Sequence, residues 1–224
     1  MISFKWGAEP ISLLPERAVL LPRRRTLVIA DPHFGKAAAF RQAGIPIPHG
    51  TTKANLERLS SVLTRTAAER LVVLGDFFHA AEGCDEQTFA KIEAWRGEHR
   101  QLEVLLVRGN HDRASGDPPE VWGIRCVAPP MVDDGLAYSH LPEPMEDMRV
   151  LAGHIHPAVR LRDPCGGSFL RAACFWFQPR LAVLPAFGSF TGTYTVSPQP
   201  KDRVFVVGDG AVVEVTRRRR ARAR

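Results

Sequence analysis

The sequence predicts an α/β protein built from two mixed β-sheets packed face to face, with helices on the outside. Three observations carry this. Compact apolar runs of four or five residues alternate with helical stretches in the first half. The second half switches to successive short strands separated by Gly, Pro and Asp turns. The first-half runs are apolar throughout rather than alternating, which suits strands covered on both faces.

Residues 1–25 carry short apolar segments broken by Pro10, Pro15 and Pro22, and read as a small strand pair or an irregular leader. Arg23, Arg24 and Arg25 read as a turn between strands. Thr26 to Ala30 is too short for a helix and β-branched enough for a buried strand, and Leu71–Leu74 and Val104–Val107 share that character. Residues 35–43 form an Ala-rich helix. Residues 52–68 place Leu56, Leu59, Val62 and Leu63 at helical spacing, with Thr51 or Thr52 as N-cap. Residues 85–99 repeat the pattern with Phe89, Ile92 and Trp95. Later strands are expected at Leu136–Ser139, Arg149–Ala152, Ala158–Leu161, Phe169–Phe175, Leu181–Leu184, Val204–Val207 and Ala211–Val215. The stretch from Val207 to Ala211 reads as a hairpin turn.

Length and composition bound the function. A chain of 224 residues fits one domain, and 45% hydrophobic against 24% charged residues allows a sizeable core. We assign that domain to residues 1–216 and treat 217–224 as an Arg-rich disordered tail. Removing the six tail arginines leaves 24 basic against 24 acidic residues, so the basic character belongs to the tail. Such a run is usually solvated, but it can add phosphate contacts. No apolar stretch is long enough to span a bilayer, and the N-terminus lacks a signal-peptide pattern, so the expected location is cytoplasmic. The four cysteines, Cys84, Cys126, Cys165 and Cys174, have no CxxC spacing and read as reduced thiols.

The chemistry sits in five short clusters: Asp31-Pro32-His33, Gly75-Asp76, Gly109-Asn110-His111-Asp112, His140, and Gly153-His154-Ile155-His156. All but one end a hydrophobic run. Ligands in open α/β sheets bind beyond the carboxyl ends of strands, so this placement gathers distant residues on one rim. Together the clusters supply ligands for two adjacent metal ions and leave one histidine for proton transfer. Carboxylate, amide oxygen and imidazole without thiolate suit Mn2+, Fe or Zn2+. Two such ions clamp the attacking and leaving oxygens of a phosphate ester and acidify a water, so no protein nucleophile is needed.

The ordered series DxH, GD, GNHD, H and GHxH resembles the calcineurin-like metallophosphoesterase superfamily, and the match runs from Asp31 to His156. The resemblance implies a four-layer αββα sandwich. It implies that Asp31, His33, Asp76 and His156 hold one metal, and that Asp76, Asn110, His140 and His154 hold the other, with Asp76 bridging. It also implies that His111 faces the substrate and that Asp112 orients it. A narrower resemblance rests on Asp31 to Arg41, Gly44 to Pro48, Gly50 to Thr52 and Gly75 to Ala80. These segments look like the ligase-associated DNA-damage-response endonucleases of the PdeM type. That likeness implies a DNA substrate and a DNA ligase, a helicase and a nuclease as partners; among the metals that the donor set suits, Mn2+ is the expected one.

Lys36 and Arg41 follow the first metal motif on a helix and are candidates to meet substrate phosphates; a solvated helix face is the equal alternative for Arg41. His49 is read as an exposed loop residue, His99 as a helix-end residue with a favourable dipole contact, and His79 as structural or as a neighbour of the site. Phe175, Trp176 and Phe177 fit a core strand better than a base-stacking platform. Phe187, Phe190 and Tyr194 are likewise read as structural. Competing functions are the same chemistry on nucleotides or phosphomonoesters, and a non-catalytic scaffold of the same fold. The second would be expected to have lost ligands, and here all are present.

Overall fold

The computed structural model describes residues 1–162 and 166–215. The basic tail at 217–224 and Cys165 lie outside the described residues. Seven strands form the first sheet in chain order: β1 (Ile2–Trp6), β2 (Glu9–Leu14), β3 (Ala18–Leu21), β4 (Thr26–Ala30), β5 (Arg70–Leu74), β6 (Glu103–Val107) and β7 (Ile124–Val127). Pairing is antiparallel from β1 to β4 and parallel from β4 to β7. The N-terminal leader is therefore three strands of the main sheet, not a separate pair or an irregular segment. Pro10 lies within β2 opposite Lys5, and Pro22 opens a 3-10 turn over Pro22–Arg24.

The second sheet contains β8 (Met131–Asp133), β9 (Leu136–Tyr138), β10 (Arg149–Ala152), β11 (Pro157–Arg162), β12 (Phe169–Phe177), β13 (Leu181–Val183), β14 (Tyr194–Thr195), β15 (Arg203–Gly208) and β16 (Ala211–Glu214). Its order is β14-β11-β12-β13-β10-β9-β8, with β15 and β16 branching from β12. The β15–β16 hairpin turns through Asp209 and Gly210, both at positive φ, which gives the tight turn expected there. Strands β7, β8 and β14 carry no sequence pattern that marks them; each is four residues or fewer.

Alternation within the central strands divides their side chains between two cores. Val28, Ala30, Val72, Leu74, Leu105 and Val107 face the second sheet and meet Tyr138, Leu151, Phe175, Phe177 and Phe205. Leu27, Ile29, Leu71, Val73, Val104 and Leu106 face outward onto helices α2 (Thr51–Thr66) and α3 (Glu86–Glu98) through Leu59, Val62, Ile92 and Trp95. Burial on both faces explains the unbroken apolar runs. Phe175 and Phe177 are core residues, as read from the sequence. The far face of the second sheet packs on Met145, Met148 and Ile155. Among the described residues no helix is long and apolar enough to cross a membrane.

Two short helices, α1 (Lys36–Gln42) and α4 (Asn110–Ser115), start at the first and third metal motifs. Asp85 caps α3, accepting from the Thr88 amide at 2.7 Å. The N-cap of α2 is Gly50 rather than a threonine; the Thr52 hydroxyl accepts instead from the Gly35 amide. Register places the site. Ala30, Leu74 and Val107 are aligned across β4, β5 and β6, so the residues after them emerge on one rim.

Candidate metal centre

Asp31, Asp76 and Asn110 leave that rim one, two and three residues past their strands. His140 and His154 follow β9 and β10, two parallel neighbours of the other sheet. The sheets meet here. A Cβ on Gly153 would sit 2.7 Å from Asp31 Oδ2 and 2.8 Å from the Ala30 side chain. Asp31, His33, Asp76, His154 and His156 all adopt positive φ. Left-handed backbone at five adjacent functional positions is strain held by the surrounding structure, on the order of 1–3 kcal/mol for each unfavourable residue.

Two groups of donors result. Asp31, His33 and His156 place one ligand atom each within 4.8 Å of one another, and Asp76, His140 and His154 do the same. Asp76 stands between them: one carboxylate oxygen is 3.4 Å from His140 Nε2 and the other 3.8 Å from His33 Nε2. Asn110 joins the second group, its side-chain oxygen 2.8 Å from His140 Nε2. His140 Nε2 and His154 Nδ1 lie only 2.9 Å apart, and His33 and His156 approach through Nε2 at 3.4 Å.

The donor set fits divalent cations. His140 Nδ1 lies 3.0 Å from the Leu74 carbonyl, and His156 Nδ1 lies 3.0 Å from the Gly192 carbonyl. A carbonyl only accepts, so each Nδ1 carries a proton and, in the neutral ring, each Nε2 turns a lone pair toward the centre. Lone pairs and carboxylates converging from opposite walls repel unless a cation lies among them. Small residues make the room. A Cβ on Gly75 would come within 2.2 Å of His140 Nδ1, and one on Gly109 within 2.2 Å of Asp76 Oδ1.

Asp112 corrects one expectation. Its carboxylate does not touch the His111 ring. It accepts from the backbone amides of Asp76, Phe77 and Gly109 at 2.7–2.8 Å, tying the second and third motif loops together. The His111 ring is held by His79: Nδ1 donates to the His79 carbonyl, and the two rings stack with centroids 5.2 Å apart. His111 Nε2 then faces the centre, 3.9 Å from Asp76 Oδ2. His79 also meets the edges of His33 and Phe40. Its position three residues after Asp76 is the only sequence signal for this role. Lys36 starts α1 close enough to feel both Asp31 and Asp76. Arg41 lines a separate small cavity with His49, Thr51 and Lys91, which contains no ligand residue. His49 is exposed, and His99 bonds Ser60 at 2.8 Å, so neither belongs to the site.

Burial and crowding set the protonation of the cation-free centre. Burial, reinforced by Lys36 and the neighbouring imidazoles, holds His33 down at about 2, so it stays neutral. Burial pushes Asp76 up to about 6, and the Asp31 charge adds to this against the pull of His140. Burial lowers His156, but its hydrogen bond to and attraction by Asp31 outweigh that and raise it. Near pH 6, Asp76 and His156 thus retain protons that an incoming cation must displace. We predict that apparent metal affinity falls as pH drops from 7 to 5, steepening toward roughly a hundredfold per unit below the Asp76 value, where both protons must leave. Titration of the metal-free protein with Mn2+ at several pH values checks this. An affinity flat across that range would be incompatible with it.

The fold and the paired donor groups define a metal-dependent phosphoesterase. Residues 24–156 match the family model described as Calcineurin-like phosphoesterase, and the chain belongs to that family. The crystal structure of Pseudomonas putida nuclease MPE is similar over 96% of this chain and 99% of that chain, with 38% identity and a TM-score of 0.85. Lower similarity is found to a protein of unknown function, AQ665, from Aquifex aeolicus, with 19% identity over 58% of this chain and 78% of that chain and a TM-score of 0.39. A phosphoesterase from E. coli, Yfce, has 15% identity over 85% of this chain and 98% of that chain and a TM-score of 0.40. No curated protein sequence matches.

Proposed function

We propose that this chain is a two-metal phosphodiesterase that cuts DNA internally, with Mn2+ as its metal, in repair alongside a DNA ligase. One observation carries the chemistry: two donor groups converge on Asp76, and His111 Nε2 faces the same carboxylate. The DNA substrate is supported by the PdeM-type segments and by the 38% identity to a nuclease. A helicase and a nuclease complete the proposed partners.

Bound at the two groups, divalent ions supply Lewis acidity and an acidified water. The chain's own residues do the rest. Asp31, His33, Asp76 and His156 form one cradle, and Asp76, Asn110, His140 and His154 the other. The attacking water gives up a proton to solvent, and its oxygen bonds to phosphorus as the ester P–O bond breaks. His111, its Nδ1–H committed to the His79 carbonyl, presents Nε2 to the departing oxygen and gives it a proton. Lys36 offers a positive charge to the phosphate oxygens.

The His111→Ala protein is expected to keep both metals and to lose 100- to 10,000-fold in kcat on a diester with a poor leaving group. Metal loss in proportion to activity loss, measured by elemental analysis, would make His111 a ligand instead. A Mn2+ substrate panel tests the broader reading: phosphomonoester, bis-p-nitrophenyl phosphate, cyclic nucleotide, and linear and circular DNA of both strandedness. Cleavage of covalently closed circles is the expected result. Turnover confined to monoesters or cyclic nucleotides would reject a nuclease, and a metal-loaded protein without esterase activity would point to a scaffold.

A further inference from the structure

A cavity of about 480 Å³ lies beside the metal centre, between the β2–β3 turn, helix α2, the loop after β13 and the β15–β16 hairpin. Two guanidinium groups, Arg17 and Arg58, line it. Among the described residues neither forms an ion pair. Arg17 bonds the Ala186 carbonyl at 3.3 Å. Arg58 bonds the Asn55 side-chain oxygen and the Phe187 carbonyl and stacks on the Phe187 ring. Arg58 Nε is buried and bonds nothing. Burial and the nearby Arg17 charge push Arg58 down to about 10, against a smaller pull from Glu16. The carboxylates at this cavity offset them only in part: Glu16 attracts Arg58 but is paired with Arg65 at 2.8 Å, and Asp209 sits in the exposed hairpin turn.

One loop separates this cavity from the metal ligands. Ser189, Phe190 and Thr191 form its wall. The Gly188 amide donates to the Asp31 carbonyl at 3.2 Å, and the Gly192 carbonyl holds His156. Phe190 breaks the structural reading given to it from sequence: it is 53% exposed and sits at φ 60, an outlier for a bulky side chain. An exposed ring at the lip of a doubly cationic cavity is the arrangement used to hold single-stranded nucleic acid, with phosphate on charge and base on aromatic face.

We propose that this cavity binds a non-scissile phosphate of a polynucleotide strand through Arg17 and Arg58, while Phe190 stacks on a neighbouring base. The site deepens the nuclease reading and rests on it. It gives the enzyme a grip on the strand on the His156 side of the scissile bond, which a small diester cannot reach.

The test compares a single-stranded oligonucleotide with bis-p-nitrophenyl phosphate, both with Mn2+. Arg17→Gln is the primary variant because, among the described residues, its guanidinium makes one hydrogen bond, to a backbone carbonyl at 3.3 Å. It is expected to lower kcat/KM on the oligonucleotide at least fivefold, mainly through KM, and Arg17→Gln/Arg58→Gln at least twentyfold. The slope of log kcat/KM against log salt should fall by about 0.7 for the lost phosphate contact. The small diester should stay within twofold, and Arg17→Lys should recover most of the loss. Phe190→Ala should lower oligonucleotide kcat/KM about fivefold without changing the slope. Unchanged oligonucleotide kinetics and salt slope in Arg17→Gln overturn the subsite while leaving the nuclease reading intact. An effect of Arg17→Gln with none of Phe190→Ala keeps the phosphate contact and overturns the stacking of Phe190 on a base. A wild-type protein that hydrolyses the diester but neither binds nor cuts the oligonucleotide overturns the nuclease reading, and this proposal with it.

Discussion

Asp76→Asn is expected to empty both metal groups together and to lower kcat by at least a thousandfold. The carboxylate is 3% exposed and lies between the groups, one oxygen toward His140 and the other toward His33. The first oxygen also accepts from the His111 amide at 3.0 Å. Asparagine can keep only one of these arrangements. If its oxygen stays on the His111 amide, its NH2 group faces His33, and a donor stands where a ligand is needed. The charge lost is also the one that both groups share. At a centre otherwise built from imidazoles, one further carboxylate and one amide oxygen, that is a large fraction of the attraction for two dications. Elemental analysis after dialysis, alongside kcat on a diester, reads both effects. Two ions retained per chain would remove Asp76 from its bridging place.

Asp112→Ala is expected to cost stability more than any single ligand substitution does. The Asp112 carboxylate is buried and accepts from three backbone amides. Alanine leaves all three donors unmet, at roughly 1–3 kcal/mol each, with water recovering part of it. A net loss of about 4 kcal/mol corresponds to a drop in Tm of roughly 10 °C for a chain of this length. Metal occupancy should fall as well, because the amides of Asp76 and Gly109 fix the loops that present Asp76 and Asn110. Asp112→Asn should rescue only part, since its NH2 group meets an N–H donor. His111→Ala should leave Tm nearly unchanged. Calorimetry of the metal-free variants separates these outcomes. If Asp112→Ala kept its Tm and merely copied the kcat loss of His111→Ala, Asp112 would be the orienter of His111 after all.

Much of the centre is legible in the chain because metal chemistry limits residue type. Carboxylate, amide and imidazole at the ends of buried apolar strands can be found by eye, since β4, β5 and β6 announce themselves as runs covered on both faces. Where that signal weakens, so does the reading. The first three strands are short and broken by Pro10 and Pro15, so their antiparallel pairing onto β4 is decided by long-range contacts that leave no local pattern. The N-cap of α2 is similar. Thr51 and Thr52 have the right chemistry, but Gly50 occupies the cap and the Thr52 hydroxyl is drawn to the Gly35 amide.

The sequence by itself determined which atoms can hold metal, their order along the chain, and the sheets that carry them. Only the tertiary structure decided who holds whom. Asp112 clamps backbone instead of His111; the His79 carbonyl and ring position His111; and Arg17 meets Arg58 across a cavity walled by a loop whose flanking glycines touch Asp31 and His156. The physical reason is common to all three. A side chain's chemistry is written in its identity, but a bond to a backbone amide or carbonyl can be made by any residue that the fold brings near. Such partners have no letter of their own in the sequence.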